Sequence, residues 1–166
     1  MPKVAVRLAT DADLAPLTAI MLAMERHYEP DGIPDPAPAR RRIAQALFGP
    51  APLALAFLAV DGEAPVGVAV VSWLFPTKSF RPGLFLKDMF VLEARRGQGI
   101  GRKLLAAVVR HARDNGHPRV DWTTDRGNAA AAGLYRGLGA VLEDKLFFRV
   151  REGAYSAFLR QAEAAD

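Results

Sequence analysis

The chain has 166 residues, of which 51% are hydrophobic and 24% charged, a balance typical of a folded globular protein and too apolar for a disordered one. It contains no cysteine, which excludes disulfides, thiolate metal sites and covalent catalysis through a cysteine. The formal net charge is +4, but the basic residues are scattered and do not interleave with aromatic residues, which favours an anionic small ligand over a nucleic acid.

The first residues contain no apolar signal core, and no later apolar run reaches the length of a membrane span. The length suits one hydrophobic core. We therefore expect a cytoplasmic protein with a single domain over residues 1–166.

The first elements predicted are a strand and two helices. Residues 3–8 alternate between apolar and polar side chains, as in a half-buried strand. Capping residues at 10–13 precede a helix whose apolar face carries Leu14, Leu17, Met21 and Met24. The proline-rich stretch 28–38 predicts a loop, and 39–48 predicts a short amphipathic helix that stops at Gly49.

Three strands follow in the middle of the chain. The apolar runs 53–60 and 65–75 flank Asp61-Gly62, the signal of a β-hairpin. Residues 84–91 form the next apolar run. These strands are expected to pair in an antiparallel sheet.

The second half alternates helices and strands. Helices are predicted over 101–115 and 128–138, strands over 120–124 and 145–150, and a terminal helix over 154–163. Such alternation implies local parallel pairing with right-handed crossovers. The fold class predicted is therefore mixed α/β.

A glycine-rich segment lies between a strand and a helix. Gly97, Gly99 and Gly101 let the backbone turn tightly and direct several N–H groups at one ligand, and the helix that starts there adds its unpaired amides. This geometry would bind a diphosphate, and positive charge nearby would come from Arg95, Arg96, Arg102 and Lys103. A Walker loop is excluded because Arg102 follows Gly101, and a dinucleotide fingerprint lacks its third glycine.

Two motifs carry a resemblance to a known family. Arg96-x-x-Gly99-x-Gly101, following Phe90-Val91, resembles the pyrophosphate loop of GNAT acetyltransferases. The stretch from Asn128 through Tyr135 to Leu138-Gly139-Ala140 is similar to the second motif of that family. The resemblance implies a central, mostly antiparallel mixed sheet of about six to seven strands, splayed at the cofactor site and flanked by about four helices.

Residues 86–91 and 122–125 are similar to the branch that contains histone/polyamine and D-amino-acid N-acetyltransferases. This resemblance implies acetyl-coenzyme A as co-substrate, an amine as acceptor, direct attack of the amine on the thioester, no metal, and a homodimer. The alternatives are a non-catalytic acyl-coenzyme A sensor and a basic nucleic-acid-binding module.

The resemblance also implies roles for individual residues. Tyr135 matches the tyrosine that protonates the departing thiolate. The base is open, because the family's glutamate position holds Lys87. Asp88, expected on the opposite face of the strand from Lys87, is one candidate. The alternatives are Glu25, Glu29, Asp125 and deprotonation through water. The residues expected to bind acetyl-coenzyme A are Met89, Phe90, Val91, Arg96, Gly97, Gln98, Gly99, Ile100, Gly101, Arg102, Asn128 and Tyr135. Those expected near the acceptor amine are Glu25, Tyr28, Glu29 and Asp125.

Overall fold

The structure is a computed structural model that describes residues 4–164. Its strands are β1 (Ala5–Leu8), β2 (Ala54–Asp61), β3 (Ala64–Leu74), β4 (Gly83–Val91) and β5 (Val120–Trp122). Its helices are α1 (Leu14–Tyr28), α2 (Pro36–Phe48), α3 (Ile100–Asp114), α4 (Ala129–Gly137) and α5 (Tyr155–Glu163). The chain divides into two compact units, one up to Arg126 and one from Gly127. That residues 1–166 form one domain stays a prediction.

The N-terminal unit contains a five-stranded mixed sheet in the order β1-β2-β3-β4-β5. The first four strands pair antiparallel, and β5 pairs parallel to β4 after the α3 crossover. The hairpin at Asp61-Gly62 and the parallel pairing are both confirmed. No helix within residues 4–164 is long and apolar enough to cross a membrane.

Helices cover both faces of this sheet. On one face, Leu17 and Met24 of α1 pack with Val68 and Phe90, in a core cluster that α2 also joins. On the other face, the buried side of α3 packs against β2, β3 and β4. Burying each leucine of these cores stabilises the fold by about 1.5–3 kcal/mol.

One glycine permits the close approach of α3. A Cβ atom on Gly67 of β3 would lie 3.0 Å from the carbonyl oxygen of Phe90 and 3.2 Å from Cδ1 of Leu104. These separations are tighter than ordinary van der Waals contact, so any side chain there would push α3 outward. Gly67 therefore sets the position of the start of α3.

One predicted helix start and one predicted strand are wrong. Helix α2 begins at Pro36, within the stretch predicted as a loop, because first-turn amides have no intrahelical partner and proline is tolerated there. The strand expected over 145–150 is absent: the C-terminal unit, described to residue 164, contains no strand whose backbone could pair with it. The described residues consequently hold five strands instead of about six to seven.

Candidate active site

Strand β4 carries a β-bulge next to the predicted base. Leu86 pairs with Val71 of β3 and Asp88 pairs with Val70, so that Lys87 has no partner in the register. One extra residue reverses which side chains face each side of the sheet. Asp88 therefore lies on the side of Val70, which packs against the core cluster under α1.

The bulge overturns the expectation that Lys87 and Asp88 point to opposite faces. Nζ of Lys87 lies 3.3 Å from Oδ2 of Asp88, and both side chains are partly exposed. The alternation of a regular strand does not hold across a bulge. An exposed pair of this length is weak, so the carboxylate remains available to a substrate.

Tyr28, at the end of α1, lies in the same region as Asp88. Burial raises the pKa of its phenol, and the charge of Asp88 raises that pKa further. Arg96 opposes the shift, and Asp125 adds to it. Such charge interactions act over a few ångströms beside a protein surface. Asp88, Arg96 and Asp125 thus lie close enough to Tyr28 for their charges to act on its phenol. That Tyr28 and Asp125 contact an acceptor amine stays a prediction.

The other two residues predicted to lie near the acceptor amine are Glu25 and Glu29. Glu25 lies on α1 and Glu29 directly follows it. Within the described residues, neither side chain makes a hydrogen bond or ion pair. Their backbones do: the N–H of Glu29 donates to the carbonyl of Glu25 at 2.7 Å, and the carbonyl of Glu29 accepts from the N–H of Gly32 at 3.1 Å. Their role toward a substrate stays a prediction.

Arg96 is tied to the end of β4 and to α1. Its Nε donates to the carbonyl of Val91 at 3.2 Å, and its Nη2 lies 3.3 Å from Nε2 of His27. The His27 ring packs against Phe90, with 5.7 Å between ring centroids. A lone histidine near a helix end carries no signal in the sequence of its partner in another element.

The glycine turn opens α3 as predicted. Gly97 and Gly99 have φ values of +76° and +74°, which disfavour any residue with a side chain. The N–H groups of Gly97, Gln98 and Gly99 have no hydrogen-bond partner within residues 4–164. A Cβ on either glycine would meet nothing within 4 Å, so this side of the turn is open. With the first-turn amides of the 15-residue α3, the turn suits a diphosphate.

The remaining predicted ligands near the turn divide into two groups. Cε of Met89 lies 3.8 Å from the position of a Cβ on Gly101, which brings β4 and the turn together. Phe90 and Ile100 are buried in the core and can offer only backbone groups. Arg102 is exposed beside the turn, and its guanidinium is available to an anion.

The last two predicted residues lie in the C-terminal unit. Oδ1 of Asn128 accepts a hydrogen bond from the backbone N–H of Ala131 at 3.1 Å, so that Asn128 caps α4. Tyr135 lies on α4, seven residues further along and on the same helical face. Their contacts to coenzyme A stay predictions.

Comparison with known proteins agrees with this geometry. The family model described as Acetyltransferase (GNAT) family matches residues 19–140. A D-amino-acid N-acetyltransferase of Saccharomyces cerevisiae is 36% identical over 66 residues, which are 40% of this chain and 40% of that protein. The chain thus matches about two fifths of the length of that curated relative.

Two solved structures share the fold. An integron cassette protein from the mobile metagenome of V. cholerae superposes with a TM-score of 0.83 at 24% identity, over 96% of this chain and 99% of the other. An aminoglycoside N-acetyltransferase in complex with CoA has a TM-score of 0.72 at 18% identity, over 90% and 95%. The predicted fold is confirmed by these likenesses.

Proposed function

The chain belongs to the acetyltransferase (GNAT) family, and we propose that it transfers the acetyl group of acetyl-coenzyme A to a primary amine. The observation that carries this proposal is the turn at Gly97–Gly99, whose N–H groups have no partner within residues 4–164. These amides and those at the start of α3 would hold the diphosphate of the co-substrate. The relative from yeast, a D-amino-acid N-acetyltransferase, supports an amine as acceptor.

Acetyl-coenzyme A would supply the acetyl group as a thioester. Asp88 would take the proton of the substrate ammonium, directly or through one water, because an alkylammonium has a pKa of about 10 and cannot attack while protonated. The free amine then forms the C–N bond as the C–S bond breaks, and the hydroxyl of Tyr135 would donate its proton to the leaving sulfur. The second proton that the nitrogen loses on becoming an amide would return, through water, to the Tyr135 phenolate. No covalent enzyme intermediate is required, consistent with a chain that lacks cysteine.

The charges around Tyr28 favour a cationic acceptor. Asp88 and Asp125 both act on its phenol, and Glu25 and Glu29 lie on and after the same helix. Carboxylates in this number would attract an ammonium group and orient it. The ring of Tyr28, a residue that is 57% exposed, would contact the carbon chain of the acceptor.

A binding and turnover experiment tests this function. Calorimetry should detect acetyl-coenzyme A binding to the wild-type protein and much weaker binding to Gly99→Ala, in which a side chain strains the positive φ of the turn. Release of free thiol should then depend on the amine offered from a library of primary amines. Binding without thiol release would indicate an acyl-coenzyme A sensor, and no binding would exclude the proposed function. The homodimer implied by the resemblance is a separate prediction, checked by light scattering.

A further inference from the structure

An ion pair joins the β2–β3 turn to the segment that precedes the glycine turn. Nη2 of Arg95 lies 2.7 Å from Oδ2 of Asp61, and the two side chains are 28% and 14% exposed. The second carboxylate oxygen, Oδ1, is buried and has no hydrogen-bond partner within residues 4–164. The negative charge of Asp61 is therefore balanced by Arg95. Removing one partner of such a partly buried pair leaves the other charge unpaired, which is costly.

The contacts continue from Arg95 into the glycine turn. Nε of Arg95 donates to Oε1 of Gln98 at 3.2 Å, and Nε2 of Gln98 lies 3.5 Å from the carbonyl oxygen of Ala94. Gln98 stands between Gly97 and Gly99, the two positions with positive φ. Glycines restrict the backbone least of all residues, so the side-chain contacts of Gln98 restrain a segment that its neighbours leave free.

We propose that Asp61 is a positioning residue for the binding of acetyl-coenzyme A. It holds Arg95, Arg95 holds Gln98, and this chain of contacts keeps the N–H groups of Gly97, Gln98 and Gly99 pointed at one ligand. That the ligand is acetyl-coenzyme A rests on the proposed function. The ordering of the turn by Asp61 and Arg95 is independent of the ligand. Preorganised donors bind more tightly because less conformational freedom is lost on binding.

The same geometry distinguishes positioning from direct binding by Arg95. Two nitrogens of Arg95 already have partners, since Nε donates to Gln98 and Nη2 pairs with Asp61. The negative charge of Asp61 also neutralises the positive charge of Arg95. Were Arg95 an anion ligand restrained by Asp61, removing the carboxylate would release a positive charge and tighten binding. As a positioning device, the pair predicts the opposite sign.

The experiment compares Asp61→Asn, Arg95→Gln, the double variant and Gln98→Ala with the wild type. Glu63→Gln is the matched control, since Glu63 is an exposed carboxylate in the same β2–β3 turn. By calorimetry, each single variant should bind acetyl-coenzyme A about tenfold more weakly, and the double variant no more weakly than either single one. Glu63→Gln should bind as the wild type does.

A second readout needs no ligand. Amide order parameters from ¹⁵N relaxation at residues 97–99 should fall from about 0.85 to below about 0.6 in the unliganded variants. Unchanged order parameters, tighter binding by Asp61→Asn, or additive losses in the double variant would each overturn the proposal. Gln98→Ala removes no charge, so it keeps the test valid if Asp61→Asn fails to fold. Loss of order in a protein that never binds acetyl-coenzyme A would reject the proposed function and retain the positioning role.

Discussion

Tyr28 ends α1 beside Asp88, and the pKa of its phenol is raised first by burial and then by the Asp88 carboxylate. The bulge at Lys87 is what places them together, since it puts Asp88 on the sheet face that α1 covers. A carboxylate disfavours the tyrosinate through like charge. The proximity of these two groups can therefore be tested without a substrate.

Asp88→Asn should lower the pKa of Tyr28, because it removes a negative charge that opposes ionisation of the phenol. Titration of the protein with ¹³C-labelled tyrosine, followed by NMR and assigned with Tyr28→Phe, measures this pKa. Asp121→Asn is the control, since Asp121 pairs with Arg119 and does not act on Tyr28. An unchanged titration of Tyr28 in Asp88→Asn would show that the two groups are not neighbours.

Tyr135→Phe should reduce kcat by about 10²–10⁴-fold, because the hydroxyl is proposed to protonate the leaving thiolate. Its affinity for acetyl-coenzyme A should stay within about twofold of the wild type, since an interaction made only in the transition state does not change ground-state binding. Steady-state kinetics and calorimetry measure the two effects. Tyr155→Phe, at the other tyrosine of the C-terminal unit, should leave both unchanged. Wild-type turnover in Tyr135→Phe across several pH values would remove the acid role.

Much of the fold follows from local patterns in the sequence. Alternation of apolar residues predicts β1, and an Asp-Gly pair predicts the β2–β3 hairpin. The glycines at 97 and 99 predict the turn that opens α3, because glycine adopts positive φ values more readily than other residues. These features each depend on a few neighbouring residues, so a single sequence contains their signal.

The features that sequence reasoning missed depend on contacts between distant segments. Asp61 and Arg95 are 34 residues apart, and either alone is typical of a solvated charge. The unpaired position of Lys87 is set by the register of β3 against β4, which a reading of β4 alone does not contain. The strand predicted over 145–150 is absent for a related reason. Apolar alternation indicates which side chains would face the core, but not whether a neighbouring strand is present to pair with the backbone.

Gly67→Ala should destabilise the protein by about 1–3 kcal/mol, because the new methyl group would contact the Phe90 carbonyl oxygen and Leu104 too closely. Urea unfolding followed by circular dichroism gives the free energy of unfolding. Binding of acetyl-coenzyme A should weaken as well, since displacement of α3 moves its first-turn amides. Gly127→Ala is the control, with nothing within 4 Å of its Cβ and no positive φ. Equal stability of the two variants would show that α3 does not pack this closely on β3.

Asp13→Asn should destabilise the fold in a pH-dependent way. The carboxylate, in a residue only 6% exposed, accepts hydrogen bonds from Arg7 at 2.5 and 2.6 Å and from the backbone N–H of Thr10 at 2.9 Å. These bonds, led by the one from Arg7, hold the pKa of Asp13 well below its ordinary value.

A carboxyl whose pKa is lower in the folded state stabilises the protein above its unfolded pKa of about 3.9, and this contribution is lost as the pH falls toward the folded pKa. At pH 7 the variant should therefore lose about 2 kcal/mol of unfolding free energy, a value moderated by the half-exposed Arg7. As the pH falls from about 4 toward the folded pKa, the unfolding free energies of wild type and variant should approach each other. Denaturant unfolding at a series of pH values measures both, with the exposed Asp11→Asn as control. A difference between wild type and Asp13→Asn that stays constant down to pH 2 would mean that the charge of Asp13 is not what stabilises the fold.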